Sequence, residues 1–472
     1  MLLVLLCLAQ FMLIIDITVV QVALPSIGAD LGLDREALTW VVTTYTLCFG
    51  GLMVLGGRLA DTFGARRMLM TGLAVFTLAS LLCGLAPGGG LLIAGRALQG
   101  VGAALLSPAA LATITTVFHG ERRTRALAVW AAIGGTGAAV GVLLGGLLTA
   151  GPGWTWAFFV NVPVGLAVLA ALPSRVPASA RSARGPLDLP GALLVTAATA
   201  LLIYGLVTAG EEGWGTAGLW LAGSAVGYLA FVWRERVAAA PLMRAATMAR
   251  RPVLSGTFVM LMATGLMLGL FFLTSLHLQR ELGYGALETG LLFLPVAIAI
   301  TLGAHLGGRL IGRVGGRPVA VGAFLLTAAG AALMTRVSPE AGVYTTLLPG
   351  FVIAAFGIGP AFVTATATTM GNVPPGEAGV ASGVINTFHE LGGSIGVALV
   401  SSLAVGGFPG ALAWCAGAAA VAAAVALRLV PPGRPAVLVG HGHGHVQEPA
   451  HGHGHTPDHG HAPDHAHGHG HG

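Results

Sequence analysis

Long stretches of this chain carry no charge, and short polar breaks interrupt them at nearly even intervals. Fourteen apolar runs stand out: 2–26, 38–58, 67–86, 89–117, 126–150, 154–172, 189–209, 214–233, 252–278, 287–309, 317–335, 342–370, 379–404 and 408–430. A helix needs roughly 20 mostly apolar residues to cross hydrocarbon, and each run is near or above that length. The runs are continuous rather than alternating, which predicts helices and not barrel strands. The first run has no basic lead and no clean small-residue cleavage site, so it reads as a spanning helix rather than a removable leader.

Composition agrees with a chain dissolved in lipid. Of 472 residues, 55% are hydrophobic and only 9% are charged, and the mean hydropathy is +0.84. Soluble domains carry about 25% charged residues, so a soluble multi-domain enzyme is excluded. The 73 glycines suit close packing between helices in a membrane. All 23 basic residues are arginine, and without lysine there is no GxxxxGK[ST] loop to hold nucleotide phosphates. Cys7, Cys48, Cys83 and Cys415 fall inside apolar runs, which suggests neither a disulfide framework nor a paired-cysteine metal site. The net charge of +5 does not imply nucleic acid, because the arginines lie mostly in short breaks, where anionic headgroups are the natural neighbours.

The arginines also orient the chain. With the N-terminus on the cytoplasmic side, nineteen of the 23 fall in or beside inner loops and the tail. Only Arg35, Arg280 and Arg336 fall outside, and Arg96 lies within a run. This is the asymmetry of the positive-inside rule, and it predicts that both termini are cytoplasmic.

One phrase occurs twice. Residues 56–67 read GGRLADTFGARR and 307–318 read GGRLIGRVGGRP. Gly56, Gly57, Arg58, Leu59, Gly64 and Arg66 align with Gly307, Gly308, Arg309, Leu310, Gly315 and Arg317. The copies join runs 2 and 3, and runs 10 and 11. If a second half begins at run 9, both copies hold the same place in their own half. Repeated halves that place a substrate site at their interface are a hallmark of transporters.

These motifs resemble the major facilitator superfamily, and more closely its fourteen-helix drug:proton antiporters of the multidrug-resistance type, over nearly all of residues 1–430. GGRLADTFGARR is similar to the superfamily's loop between helices 2 and 3. AGRALQGVGAA (94–104) is similar to its helix-4 motif with a buried arginine. IDITVVQVALP (15–25), WTWAFFVNVPVG (154–165) and VPPGEAGVASGVINTFHELGGSIGVAL (373–399) resemble the helix-1, helix-6 and helix-13 motifs of the subfamily. The resemblance implies an all-α, polytopic membrane protein of the major-facilitator fold. It would comprise an N-terminal six-helix bundle (1–172), two inserted helices with their loops (173–251), a C-terminal six-helix bundle (252–430) and a cytoplasmic tail (431–472). It implies a proton-coupled antiporter that exports small hydrophobic or cationic compounds, with no catalytic residues and no bound cofactor, acting as a monomer in the plasma membrane of a bacterium. Four positions depart from the family pattern: Gln21 stands for Asn, Thr155 for Arg, Val142 for the helix-5 Pro, and His389–Glu390 for an Arg-Gln pair.

Asp16 carries the sharpest chemical expectation. A charge at the bilayer centre costs at least ~2.5 kcal/mol on insertion scales, and intramembrane ionisable groups are functional by default. Asp16 reads as a carboxylate that exchanges protons as the cavity faces each side; a static partner for Arg96 is the plainer alternative. Arg96 does not give up its proton and would bias a nearby acid. Gln99, three residues on, shares its face. Glu390 is a candidate for a second proton or a cationic substrate. Gln21, Tyr45, Gln99 and His389 are weaker candidates for the substrate cavity. Gly57, Arg58, Asp61, Gly64 and Arg66 form a cytoplasmic gate loop that, in the family, latches the halves when the cavity faces outward; Gly312 opposite Asp61 would make that latch one-sided. Gly137, Gly141 and Gly145 form a bare stripe on helix 5, for plain packing or for sliding between the halves.

Residues 441–472 hold twelve of the 16 histidines amid Gly and Pro, a composition that forms no packed core. His441, His443, His445, His451, His453 and His455 are candidate ligands for Zn, Ni or Cu, at least adventitiously. Two rivals follow: a metal-ion exporter that collects ions on this tail, and a non-transporting membrane sensor.

Overall fold

The computed structural model describes residues 1–176, 188–238, 241–242, 245–337, 342–404 and 407–433. Every apolar run named above falls on helix, and no strand occurs among the described residues. The helices are α1 (Leu2–Leu31), α2 (Arg35–Phe63), α3 (Ala65–Gly84), α4 (Gly89–Val117), α5 (Gly120–Ala150), α6 (Trp156–Phe159), α7 (Asn161–Ala171), α8 (Leu189–Glu211), α9 (Trp214–Val237), α10 (Ala245–Met248), α11 (Arg251–Leu276), α12 (Ala286–Val314), α13 (Gly316–Met334), α14 (Leu348–Met370), α15 (Ala378–Ala404) and α16 (Phe408–Leu429). Among the described residues eleven helices are long and apolar enough to cross a membrane, compared with fourteen runs in the sequence. The other three runs lie on α5, α15 and the broken pair α6–α7. Even taken together across Val160, α6 and α7 run only from Trp156 to Ala171, an apolar piece below spanning length. The tail histidines lie outside the described residues.

The helix ends follow from local chemistry. Asp34 caps α2, its carboxylate accepting from the Ala37 amide at 2.8 Å. The Glu288 carboxylate reaches back to the Gly285 amide at 2.8 Å and fixes the start of α12. Gly64 joins α2 to α3 with φ +96°, and Gly315 joins α12 to α13 with φ +89°. These are equivalent positions of the repeated phrase, and left-handed backbone of this kind favours glycine.

The repeat also explains how the two parts of the chain meet. Before α8 and α9 in the chain, α2 and α3 pack on α4, and α1 packs on α5. After them, α12 and α13 pack on α14, α11 on α15, and α13 on α16. The principal crossings between these sets are α2 with α15 and α5 with α12. In each copy the first glycine serves its own set: a Cβ on Gly56 would lie 2.0 Å from the Ala104 carbonyl of α4, and one on Gly307 would lie 2.7 Å from Pro360 Cα of α14. The second glycine serves the crossing: Gly57 faces the Gly379 carbonyl of α15 at 2.1 Å, and Gly308 faces Ala128 of α5 at 2.9 Å, measured the same way. α8 pairs with α9 and leans on both α2 and α15.

Exposure is inverted relative to a water-soluble fold. Leu193, Leu219, Leu229 and Trp233 point outward, whereas Asp16, Arg96, Gln99 and Asn161 are buried. An apolar exterior around a polar interior is stable only in lipid, which makes this a multi-pass membrane protein.

Candidate functional site

Asp16 sits in the middle of α1, fully buried, and three side chains hold it. Arg96 of α4 donates from Nη1 to Oδ2 at 2.5 Å, and Oδ1 accepts from Gln99 Nε2 at 2.9 Å and from Asn161 Nδ2 at 2.8 Å. Gln99 Nε2 also donates to Ser80 Oγ of α3 at 2.8 Å, and its Oε1 accepts from Arg96 Nη1 at 2.8 Å. Arg96 Nε donates to the Val41 carbonyl of α2 at 3.1 Å. The guanidinium carbon lies 4.2 Å from the centroid of the Tyr45 ring, within cation–π range. One carboxylate therefore ties together α1, α2, α3, α4 and α7. Burying this pair is tolerable because both charges are hydrogen-bonded; removing either one strands the other.

A separate cavity of about 740 Å³ lies between the two sets of helices. Its walls come from α1, α2, α4, α5, α8, α11, α14 and α15. The lining is mostly apolar, with Phe49, Met53, Trp130, Met260, Met267, Phe272 and Phe362 among it. Polar groups converge from Gln10, Gln21, Ser107, Asn386, His389 and Glu390. Gln21 and His389 thus line the cavity. Tyr45 and Gln99, also assigned to it from the sequence, belong instead to the cluster around Asp16, which lies behind the wall. The reason is the face of α1: Ile14, Ile17 and Gln21 point into the cavity, and Asp16 points away from it. Glu390 Oε1 lies 3.3 Å from His389 Nδ1, and the His389 ring lies 5.8 Å from that of Phe362.

One end of the cavity is sealed. The Asp61 carboxylate accepts from the Gly379 and Val380 amides at 2.7 and 2.8 Å. These are the first turn of α15, where a helix carries positive partial charge. Arg58, one turn earlier, brings a positive charge within reach of the same carboxylate. On the other side Arg123 of α5 donates from Nη2 to the carbonyl of Met370, the last residue of α14, where the helix end is negative. Gly64 makes the turn that follows, and Arg66 lies half-buried in the first turn of α3. The cavity runs away from this seal, toward Gln21, Gly210, Arg280 and Ala404 at the opposite helix ends.

The glycine stripe of α5 packs α1. A Cβ on Gly137, Gly141 or Gly145 would lie 2.8 Å from Ile14, 2.3 Å from Thr18 or 2.9 Å from Val22. Both helices belong to the set that precedes α8, so the stripe is a packing face within that set rather than a sliding face between the sets. Asn161, Ser80 and Arg123 take part in these sites without having been singled out from the sequence. The signal for Asn161 was present: an amide in an apolar run, two residues before Pro163, at the break between α6 and α7.

Comparison with known proteins places these features in a lineage. The sequence pattern of the Major Facilitator Superfamily matches residues 6–397 and 253–447. The chain is 44% identical over 410 residues to a puromycin resistance protein of Streptomyces alboniger, covering 84% of this chain and 80% of that one. It is 40% identical to a cephamycin export protein of Amycolatopsis lactamdurans, covering 92% of each. It is 35% identical to a tetracenomycin C resistance and export protein of Streptomyces glaucescens, covering 83% of this chain and 73% of that one. The fold is similar to that of the human organic anion transporter MFSD10, with a TM-score of 0.67 at 15% identity, covering 90% of this chain and 98% of that one. The paired helix sets, the repeated loop phrase and these relatives lead to one assignment: the chain belongs to the Major Facilitator Superfamily.

Proposed function

We propose that this protein is a proton-coupled antiporter that exports antibiotic-like small molecules, apolar or cationic, across the plasma membrane by alternating access. The single observation that carries the reading is Asp16: a carboxylate with no exposure to solvent, bound to a permanent cation, one helix wall away from a large cavity. Arg96, Gln99 and Asn161 are the groups that hold this carboxylate. Taking up a proton removes the attraction to Arg96, so protonation and helix rearrangement go together. The roles that the relatives are named for, resistance and export, support the direction of transport.

The arginine asymmetry puts the Asp61 seal on the cytoplasmic side and the cavity toward the outside. In this reading all fourteen runs cross the membrane, α1–α7 and α11–α16 form the two bundles that rock, and α8–α9 are the inserted pair. No bound cofactor is required. The metal-exporter rival is less well supported, because among the described residues no group of three or more His, Cys, Asp or Glu converges. The test is flux in inverted vesicles. Substrate-driven proton release should be abolished by Asp16→Asn, with the variant present at normal levels, and by a protonophore. Efflux that persists under either condition overturns the coupling.

A further inference from the structure

We infer that Tyr45 is a positioning residue for the proton step: the face of its ring holds the Arg96 guanidinium in place when Asp16 goes neutral, and so sets the pH at which Asp16 takes its proton. The inference rests on the proton-coupled reading above and deepens it by naming what keeps the arginine seated once its carboxylate partner is lost.

Among the described residues, Asp16 is the carboxylate that pairs with Arg96. A guanidinium does not give up its proton. When Asp16 takes one, a full positive charge stays behind in a buried place, which is costly unless another partner holds it. The structure supplies one that keeps its form as Asp16 changes. The guanidinium carbon lies 4.2 Å from the centroid of the Tyr45 ring. The Phe158 ring of α6 is centred 6.0 Å away, at the limit of such an attraction. The ring face responds to the net charge beside it. With Asp16 ionised the pair is neutral overall, and attraction to the cation is offset by repulsion of the anion. With Asp16 neutral only the attraction remains. Tyr45 therefore stabilises the proton-loaded state more than the empty one, and loss of the ring moves proton uptake toward acid.

The other groups around Asp16 do not supply this. Gln99 of α4 and Asn161 of α7 are neutral amides. Ser80 and Cys83 of α3 reach the carboxylate through Gln99. α5 meets this stretch of α1 with Gly137 and Gly141. Among the described residues, the charged or titratable groups that face Asp16 are thus Arg96, Tyr45 and the Cys83 thiol, and Glu390 of α15 reaches Tyr45 from the cavity side. The Tyr45 ring is itself held: it is buried and tilted against Phe49 with centroids 5.5 Å apart. Its hydroxyl has no hydrogen-bond partner among the described residues. What the side chain offers Arg96 is the ring face, and Tyr45→Phe keeps that face.

The experiment is an infrared pH titration of the full-length protein in nanodiscs. The quantity read is the midpoint of the carbonyl stretch of the neutral carboxylic acid, assigned to Asp16 by its absence in Asp16→Asn. Tyr45→Phe should leave the midpoint within about 0.3 pH unit of wild type, and Tyr45→Leu should move it toward acid by about one pH unit or more. A trifluorophenylalanine incorporated in place of Tyr45 keeps the ring but draws electron density from its face, and should move the midpoint the same way by a smaller amount. That variant decides the matter alone if Tyr45→Leu does not fold. A role in packing alone predicts lower stability without a shifted midpoint. An unmoved midpoint in the fluorinated variant, or a shift in Tyr45→Phe as large as in Tyr45→Leu, overturns the inference and leaves the efflux reading standing. An Asp16 band that never titrates in wild type also overturns the inference; the efflux reading falls with it if transport survives Asp16→Asn.

Discussion

At the scale of single residues the protein keeps Asp16 and Glu390 apart and gives them different surroundings. Asp16 is enclosed and fully partnered; Glu390 faces a cavity with a loosely held neighbour. The enclosed pair sets strong expectations for stability. Arg96→Gln leaves the Asp16 charge buried without its cation and should destabilise the fold by about 3–5 kcal/mol, read as a fall in thermal midpoint or in yield of folded protein. Asn161→Ala removes one hydrogen bond to a charged group and should cost about 1.5–3 kcal/mol. The double change Asp16→Asn with Arg96→Gln should cost less than the sum of the single changes, because neither charge is then stranded. Additive losses would show that the two side chains do not depend on each other. Asp16 and Arg96 were legible in the sequence, since an ionised group in a long uncharged run draws attention by its cost. Their remaining partners were not. Asn161 and Ser80 are common polar residues, and only the packing of α3 and α7 against α1 and α4 turns them into ligands of a carboxylate.

At the scale of helices the repeated glycines do the joining. Gly57 and Gly379 bring two backbones so close that each would clash with a methyl on the other, and Asp61 uses that proximity to cap α15 from a different helix. Gly57→Val should therefore open the sealed end. A cysteine replacing the buried Ser382 would then react several-fold faster with a membrane-impermeant maleimide applied from the cytoplasmic side. Asp61→Asn should act in the same direction and more weakly, because an amide still accepts from the helix end but without charge. Unchanged labelling in both variants would mean that the seal is held elsewhere, with Arg123 the first place to look. Gly141→Leu tests a different contact. Its side chain would collide with Thr18 and push α1 from α5, an overpacking cost of about 1–3 kcal/mol visible as lower thermal stability. The phrase GGRL was readable as a repeat, but which of its two glycines faces the partner set was not. That assignment depends on the rotation of α2 and α12, which a run of apolar residues leaves open.

At the scale of the whole molecule the pattern of runs located each of the eleven described helices long and apolar enough to cross a membrane, because length and hydropathy alone set where a chain can enter lipid. The same pattern could not foresee the break at Val160, nor that α8 contributes Leu206, Val207 and Gly210 to the cavity wall. Orientation remains the most direct prediction at this scale. A cysteine replacing Arg336 should react with an impermeant maleimide added outside intact cells, and one replacing Arg122 only after the cells are opened; both positions are exposed. The reverse result would invert the molecule and with it the direction of transport. The position of α8 has a mechanical consequence. Its Ile203 presses on Gly50 of α2, and its Gly210 approaches Ala398 of α15. Any tilt that parts those two helices must drag or shear a third one standing across the slit. If the two bundles rock as proposed, α8 with α9 would act as a gasket on that flank, keeping acyl tails out while the central chamber changes sides.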